Sequence, residues 1–215
     1  MTLKLYFAPG ACSFVPHSLL ETAGADFEPV LVKLHKGENL APEYKAINPR
    51  GQVPVLVDGD QTITQIVAIV NHLDQKFPEQ GFLPREPMAR TRVLETLAWM
   101  NNTVHPTFTH VFMPFKYTDD AQAQAALKTH NAKLYGGMLA EIEAMAVHAG
   151  PGFLGGERFG PLDAYALTLL RWGGFAGHDP QGYPALWALA QRVAALPGVA
   201  RAIERERLQL NVYKP

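Results

Sequence analysis

Cys12 is the one cysteine of the 215-residue chain, and its neighbours decide what its thiol can do. Leu3-Lys4-Leu5-Tyr6-Phe7 alternates with the period of a half-buried strand. Ala8-Pro9-Gly10-Ala11 ends that strand with turn-forming residues. From Ser13 the spacing becomes helical, with Leu19, Leu20 and Ala23 on one face and Pro16 tolerated in a first turn. Cys12 therefore stands at a strand-to-helix junction, beside free backbone N–H groups and the positive end of a helix dipole. That setting predicts a reactive thiol with a pKa well below that of a free cysteine. The competing reading is a small buried apolar side chain, the commonest fate of a free cysteine. Val15 occupies the position where a second thiol would complete a Cys-x-x-Cys pair, so intramolecular dithiol chemistry is excluded. The eight histidines show no metal-ligand spacing, and neither a phosphate loop nor a nucleophilic serine elbow is present. No metal is expected.

The elements that position Cys12 are legible over the first third of the chain. A helix runs from about residue 13 to Gly24, a strand from Phe27 to Leu34, and a short helical piece ends at Asn48-Pro49-Arg50-Gly51. Val53–Val57 and Gln61–Thr64 flank the hairpin signal Asp58-Gly59, and Ile66, Ile69, Val70 and Leu73 mark a helix to about Lys76. The order β-α-β-α-β-β-α makes the second strand parallel to the first and the last two an antiparallel pair. Residues 78–87, with Pro78, Gly81, Pro84 and Pro87, read as a linker. Residues 88–215 carry only helical periodicity, in five segments. The fold class is thus an α/β domain over 1–77 followed by an all-α domain over 88–215. Hydrophobic residues at 47% and charged residues at 18% describe a compact chain, and a net charge of -1 gives no case for nucleic acid or an anionic membrane. No apolar stretch approaches the length of a membrane span, and the N-terminus lacks the pattern of a signal peptide. With a single cysteine, these features suggest a cytoplasmic protein.

Three segments carry a resemblance. Tyr6-Phe7-Ala8-Pro9-Gly10-Ala11-Cys12-Ser13-Phe14-Val15-Pro16-His17, Asn48-Pro49-Arg50-Gly51-Gln52-Val53-Pro54 and Phe159-Gly160-Pro161-Leu162-Asp163-Ala164-Tyr165, with the domain order, resemble the cytosolic glutathione transferases. The first segment is similar to the opening of the bacterial beta class. The resemblance implies a thioredoxin-like first domain, glutathione as co-substrate and a small hydrophobic electrophile as its partner. It also implies a homodimer pairing the first domain of one subunit with the helical domain of the other. It places Cys12, His105 and Ser13 in the catalytic set, with His105 facing the thiol as an imidazolium that stabilises thiolate or as a neutral base. It implies a cis Val53–Pro54 peptide whose Val53 backbone pairs with the cysteinyl part of glutathione in the manner of an added strand. Gln65 and Ile66, at a helix N-terminus, would hold the γ-glutamyl carboxylate. Lys36, or His35 beside it, would reach the glycine carboxylate. Phe14, Phe108, Phe112 and Tyr117 are candidates for the electrophile cleft or for the core.

The chain departs from the family pattern at two places. Ile66 stands where many relatives have serine, asparagine or glycine, and Thr103 stands where many have an acidic residue that meets the glutathione amine across the dimer. These departures predict weak glutathione binding. Asp163 stands at the third position of a helix whose expected cap, Ser or Thr, is replaced by Gly160, with Pro161 next. It reads as folding chemistry. Three functions follow from the residues: conjugation of glutathione to hydrophobic electrophiles; a single-cysteine thiol–disulfide oxidoreductase or peroxidase; and a non-enzymatic binding or regulatory protein on the same fold. Cys12 and His105 favour the first two, while Ile66 and Thr103 keep the third in play.

Overall fold

The computed structural model describes residues 3–215. The first half comprises β1 (Leu3–Phe7), α1 (Phe14–Thr22), β2 (Phe27–Leu31), α2 (Pro42–Ile47), β3 (Val55–Asp58), β4 (Gln61–Thr64) and α3 (Ile66–Lys76). The strands form one sheet in the order β2-β1-β3-β4. β1 pairs parallel with β2 and antiparallel with β3, and β3 pairs antiparallel with β4. This is the topology the sequence implies. Strand β2 ends three residues early for a simple reason. Val32 N–H still reaches Phe7 O, but β1 has no further residue to offer, and the chain folds into a tight turn at Leu34–Lys36. Strand β3 starts at Val55, because Pro54 carries no N–H for the ladder.

The second half is all helical among the described residues: α4 (Pro87–Trp99), α5 (His105–Phe112), α6 (Ala121–Ala149), α7 (Pro161–Phe175), α8 (Pro184–Ala194) and α9 (Pro197–Glu206). The sequence suggested five helices there. The sixth, α5, carries Pro106 in its first turn. A π-helical turn at Met100–Val104 joins α4 directly to α5, and His105 N–H reaches back five residues to Met100 O. The widened turn takes up the position where Pro106 lacks a donor, so the helix continues.

One apolar cluster runs through both halves, from Leu5 and Leu19 to Leu97, Tyr165 and Val193. Helix α1 lies within it, between α3 on one side and α7 and α9 on the other. Every residue from Phe14 to Glu21 is buried, polar His17, Ser18 and Glu21 included. Each apolar side chain so buried contributes about 1.5–3 kcal/mol relative to exposure. The connecting segment 78–87 is anchored: Phe82 and Leu83 are buried, and Leu83 N–H donates to Asp74 Oδ1 at 3.0 Å. The buried Asp74 carboxylate also accepts from Arg85 and Arg90.

Candidate functional site

Gly10 begins the site. Its φ of 69° lies in the left-handed region open to glycine. It turns the chain from β1 so that Ala11 N–H meets Ala8 O at 3.1 Å. Ser13 closes the same turn. Its buried hydroxyl accepts from Ala8 N–H at 3.1 Å and donates to Ala8 O at 3.2 Å. Both capacities of the hydroxyl are thus engaged within the turn. These bonds fix the turn in which Cys12 sits.

Cys12 precedes the first turn of α1, as the sequence implies, and is only 8% exposed. Its Sγ donates to Val53 O at 3.5 Å. Burial pushes the thiol up to about 12, while the N–H groups of Cys12 and Ser13 pull it down and the Glu206 charge raises it further. Burial thus works against the low pKa expected from the helix terminus. The N–H groups act in the expected direction, but desolvation is larger. In the ligand-free protein burial favours the thiol.

His105 opens α5. Its Nδ1 lies 2.9 Å from the hydroxyl of Tyr165, and its ring meets Trp172 edge to face at 4.8 Å. Burial, with a smaller contribution from Lys116, lowers its pKa to about 4. The imidazole is therefore neutral near pH 7, and the imidazolium alternative is set aside. No hydrogen bond joins His105 to Cys12 among the described residues. Tyr165 links the two regions: its phenol is raised by burial first and by the nearby Cys12 second. Its hydroxyl also lies 3.4 Å from Asn101 Oδ1.

The Val53–Pro54 peptide is cis. The segment before it is held by Tyr44 and Asn48, whose side chains both donate to Gln52 O at 2.8 Å. Asn39 Nδ2 donates to Gly51 O at 2.8 Å. These bonds give the Asn-Pro-x-Gly motif its physical content. Gln65 caps α3 with φ 70° and ψ 126°. A non-glycine residue in that region stores strain, and such strain gathers at binding sites. Gln65 is exposed, while the Ile66 side chain is buried in the core. Ile66 thus offers a ligand only its N–H, at the open end of α3. His35 and Lys36 are both exposed on the turn after β2, and Thr103 is exposed on the π-helical turn.

Sequence reasoning missed three supports of the site. Trp172 Nε1 donates to Gly10 O at 2.8 Å. Glu206, the last residue of α9, accepts from Gly10 N–H at 2.7 Å and lies 2.7 Å from His17 Nδ1. Tyr165 holds His105, as described. Tyr165 and Trp172 lie seven residues apart, two turns on one face of α7, a signal the sequence does carry. Nothing local marks Glu206. Asp163 fulfils its structural reading. Its carboxylate accepts from Gly160 N–H at 2.9 Å and from Leu154 N–H at 2.8 Å. Gly160 replaces the usual Ser or Thr because a Cβ there would lie 2.9 Å from Phe82 O.

Comparison with known proteins agrees with this geometry. Residues 1–75 match the glutathione S-transferase N-terminal domain, and residues 100–197 match its C-terminal domain. The chain is 33% identical over 216 residues to glutathione S-transferase GstA of Escherichia coli O157:H7, covering 96% of this chain and 100% of the relative. A solved glutathione transferase homolog from Sulfitobacter, with bound glutathione, superposes with a TM-score of 0.90 at 25% identity, covering 96% of this chain and 99% of that one. A sphingomonad glutathione S-transferase complexed with glutathione gives 0.81 at 32%, covering 96% and 100%. This chain is an enzyme that belongs to the glutathione S-transferase family.

Proposed function

We propose that the enzyme conjugates glutathione to hydrophobic electrophiles at Cys12. One observation carries the reading: the sole thiol lies against the carbonyl of Val53, the backbone on which the cysteinyl part of glutathione is read to pair. Glutathione then runs from the open N-terminus of α3, where Gln65 and the N–H of Ile66 receive the γ-glutamyl carboxylate, to His35 or Lys36 at its glycine end. Its sulfur meets two neutral groups, the Cys12 thiol and the His105 imidazole. Where Tyr165 gives its one proton to Nδ1 at 2.9 Å in preference to Asn101 Oδ1 at 3.4 Å, His105 keeps its proton on Nε2. Both groups then donate hydrogen bonds to a glutathione thiolate and favour its ionised form. The glutathione thiol first gives its proton to solvent; the thiolate then bonds to the electrophilic carbon, and the leaving group departs with its bonding pair.

Burial of Cys12 favours conjugation over thiol–disulfide exchange. Exchange needs Cys12 itself as the thiolate nucleophile, whereas conjugation uses it as a donor. Oxidised glutathione should therefore label Cys12 slowly. We also read the enzyme as a cytoplasmic homodimer; no helix among the described residues is long and apolar enough to cross a membrane. Alkylation of Cys12 against pH, turnover of an aromatic halide and glutathione calorimetry test the reading together. The free enzyme should show a thiol midpoint above about 8.5, the free-cysteine reference. Cys12→Ala should lose most turnover while still binding glutathione. Wild-type protein that binds glutathione but conjugates no halide, with rapid labelling of Cys12 by oxidised glutathione, overturns conjugation in favour of exchange.

A further inference from the structure

Strand β1 serves two faces of the sheet. Leu3, Leu5 and Phe7 point into the main apolar cluster with α1, and Tyr6 points the other way. On that outer face lies a second, smaller cluster. Val32, Tyr44 and Val55 are buried in it, and Tyr6, Ile47 and Val53 pack against them. Helix α2 covers the face only in part. Between α2, β2 and the turn at Glu38–Leu40 lies a recess of about 300 Å³, at the lower end of the volumes of small-molecule sites. Two of its walls are the rings of Tyr6 and Tyr44, which meet edge to face at 5.9 Å. Val30 and Leu31 of β2 complete the apolar lining, and Leu31 is left 45% exposed.

The charge at the recess has one sign. Glu38 and Glu43 line it, and among the described residues no basic side chain does. Glu38 is already matched: it accepts from Lys33 N–H at 2.8 Å and lies 3.5 Å from Lys33 Nζ. Glu43, in the first turn of α2, has no ion-pair or hydrogen-bond partner among the described residues. Aromatic walls beside one unmatched carboxylate suit a ring that carries an ammonium group. The ring packs on the tyrosines, and the cation takes the carboxylate and an aromatic face.

The walls of the recess also hold the segment that leads to Val53. Tyr44 turns its ring to the recess and donates its hydroxyl to Gln52 O at 2.8 Å. Burial, with a smaller contribution from Tyr6, pushes this phenol up to about 12, so it remains a donor. Asn39, in the same turn as Glu38, donates to Gly51 O at 2.8 Å. Gln52 precedes Val53, whose carbonyl accepts from Cys12 Sγ. A guest packed on Tyr44 favours the placing of α2 that keeps these bonds, and such a linkage acts equally in both directions.

We propose that this recess is a second ligand site, for a small aromatic amine in its ammonium form, and that its occupation strengthens glutathione binding through Tyr44. The coupling rests on the Val53 pairing read above, whereas the amine site does not. Tryptamine and uncharged tryptophol, titrated into the ¹⁵N-labelled protein, test it. Amide signals should move at residues 30–32 and 43–47, and tryptamine should bind about three- to tenfold more tightly than tryptophol. Glu43→Gln should bring the two affinities together. By calorimetry, saturating tryptamine should lower the glutathione Kd about fivefold in wild type. It should leave that Kd unchanged in Tyr44→Phe, which keeps the ring without the hydroxyl. Equal binding of the two compounds by wild type, or shifts confined to α5 and α7, overturns the amine site whether or not the variants fold. A preference that survives Glu43→Gln overturns the assignment of the charge to Glu43. A glutathione Kd indifferent to tryptamine overturns the coupling. A wild type that binds no glutathione removes the Val53 pairing instead, and the amide shifts still decide the amine site.

Discussion

Glu206 is the residue on which the Cys12 turn and the last helix both depend. Its carboxylate is buried, accepts from Gly10 N–H, and meets the fully buried His17 ring. Replacing it with alanine leaves two buried donors without an acceptor, each costing about 1–3 kcal/mol. Loss of the carboxylate also relieves its own desolvation, so the lower half of the range applies, about 2–4 kcal/mol in all. For a chain of this size about 1 kcal/mol shifts Tm by roughly 2–4 °C, so Glu206→Ala should melt about 5–15 °C below wild type. Glu206→Gln keeps the shape and one acceptor and should lose about half as much. Differential scanning calorimetry reads both. A second readout separates the turn from the helix. With Gly10 N–H released, the Cys12 turn loosens, and iodoacetamide should alkylate Cys12 several-fold faster in the native variant. Variants that melt within about 2 °C of wild type would refute the energetic argument. A lowered Tm with an unchanged alkylation rate would show that Glu206 fastens α9 to α1 without positioning Cys12.

Three further outcomes follow from the titrating groups. His105, lowered by burial to about 4, should show no NMR titration between pH 5 and 8, and a midpoint at or above about 6.5, the free-imidazole value, contradicts the neutral-donor role. Tyr165→Phe should leave kcat/KM lower while releasing Nδ1, so that the ring nitrogen shifts report a mixture of tautomers; unchanged shifts would place the Tyr165 proton elsewhere. Asp163 is raised from 3.8 to about 6, by burial first, against the pull of its bonds from Leu154 and Gly160. A raised carboxylate contributes stability fully below its unfolded pKa and loses it as pH rises through the folded one. The stability advantage of wild type over Asp163→Asn should therefore shrink by about 3 kcal/mol between pH ~4 and ~7. An advantage that grows across that window would mean that the two N–H bonds outweigh burial.

The sheet and its connections were legible because each rests on local signals: alternation in β1, the Asp58-Gly59 turn, glycine at position 24. The site was legible only where backbone carries it. Cys12 at the junction and the helix start at Gln65 follow from short motifs, and the cis Val53–Pro54 peptide follows from the family resemblance. What the sequence concealed came from tertiary context. Helix α5 escaped notice because the π-helical turn that joins it to α4 has no compositional mark. Gly160 reads as a weak cap because the approach of Phe82 O comes from the connecting segment far back in the chain. Ser13 reads as a spare hydroxyl beside the thiol because its two bonds to Ala8 depend on how tightly the turn closes.

Cys12 shows the same division within one group. The N–H groups that favour its thiolate belong to its own and the next residue, so the sequence displays them. The groups that oppose it come from afar: the apolar core around α1, and the charge of Glu206 at the end of α9. The local contribution is fixed by the strand-to-helix junction, whereas the opposing one depends on water being kept out. A ligand that fits against Val53 would replace the core's indifference with a charged partner. On the proposed reading a protonated Cys12 donates to the glutathione sulfur, and burial strengthens that bond, because the desolvation that disfavours the Cys12 thiolate also removes the water that would compete for the glutathione thiolate. On that reading the burial that opposes a low pKa makes Cys12 effective as a donor, and a solvent-exposed thiol at the same junction would be the better nucleophile but the poorer partner for glutathione.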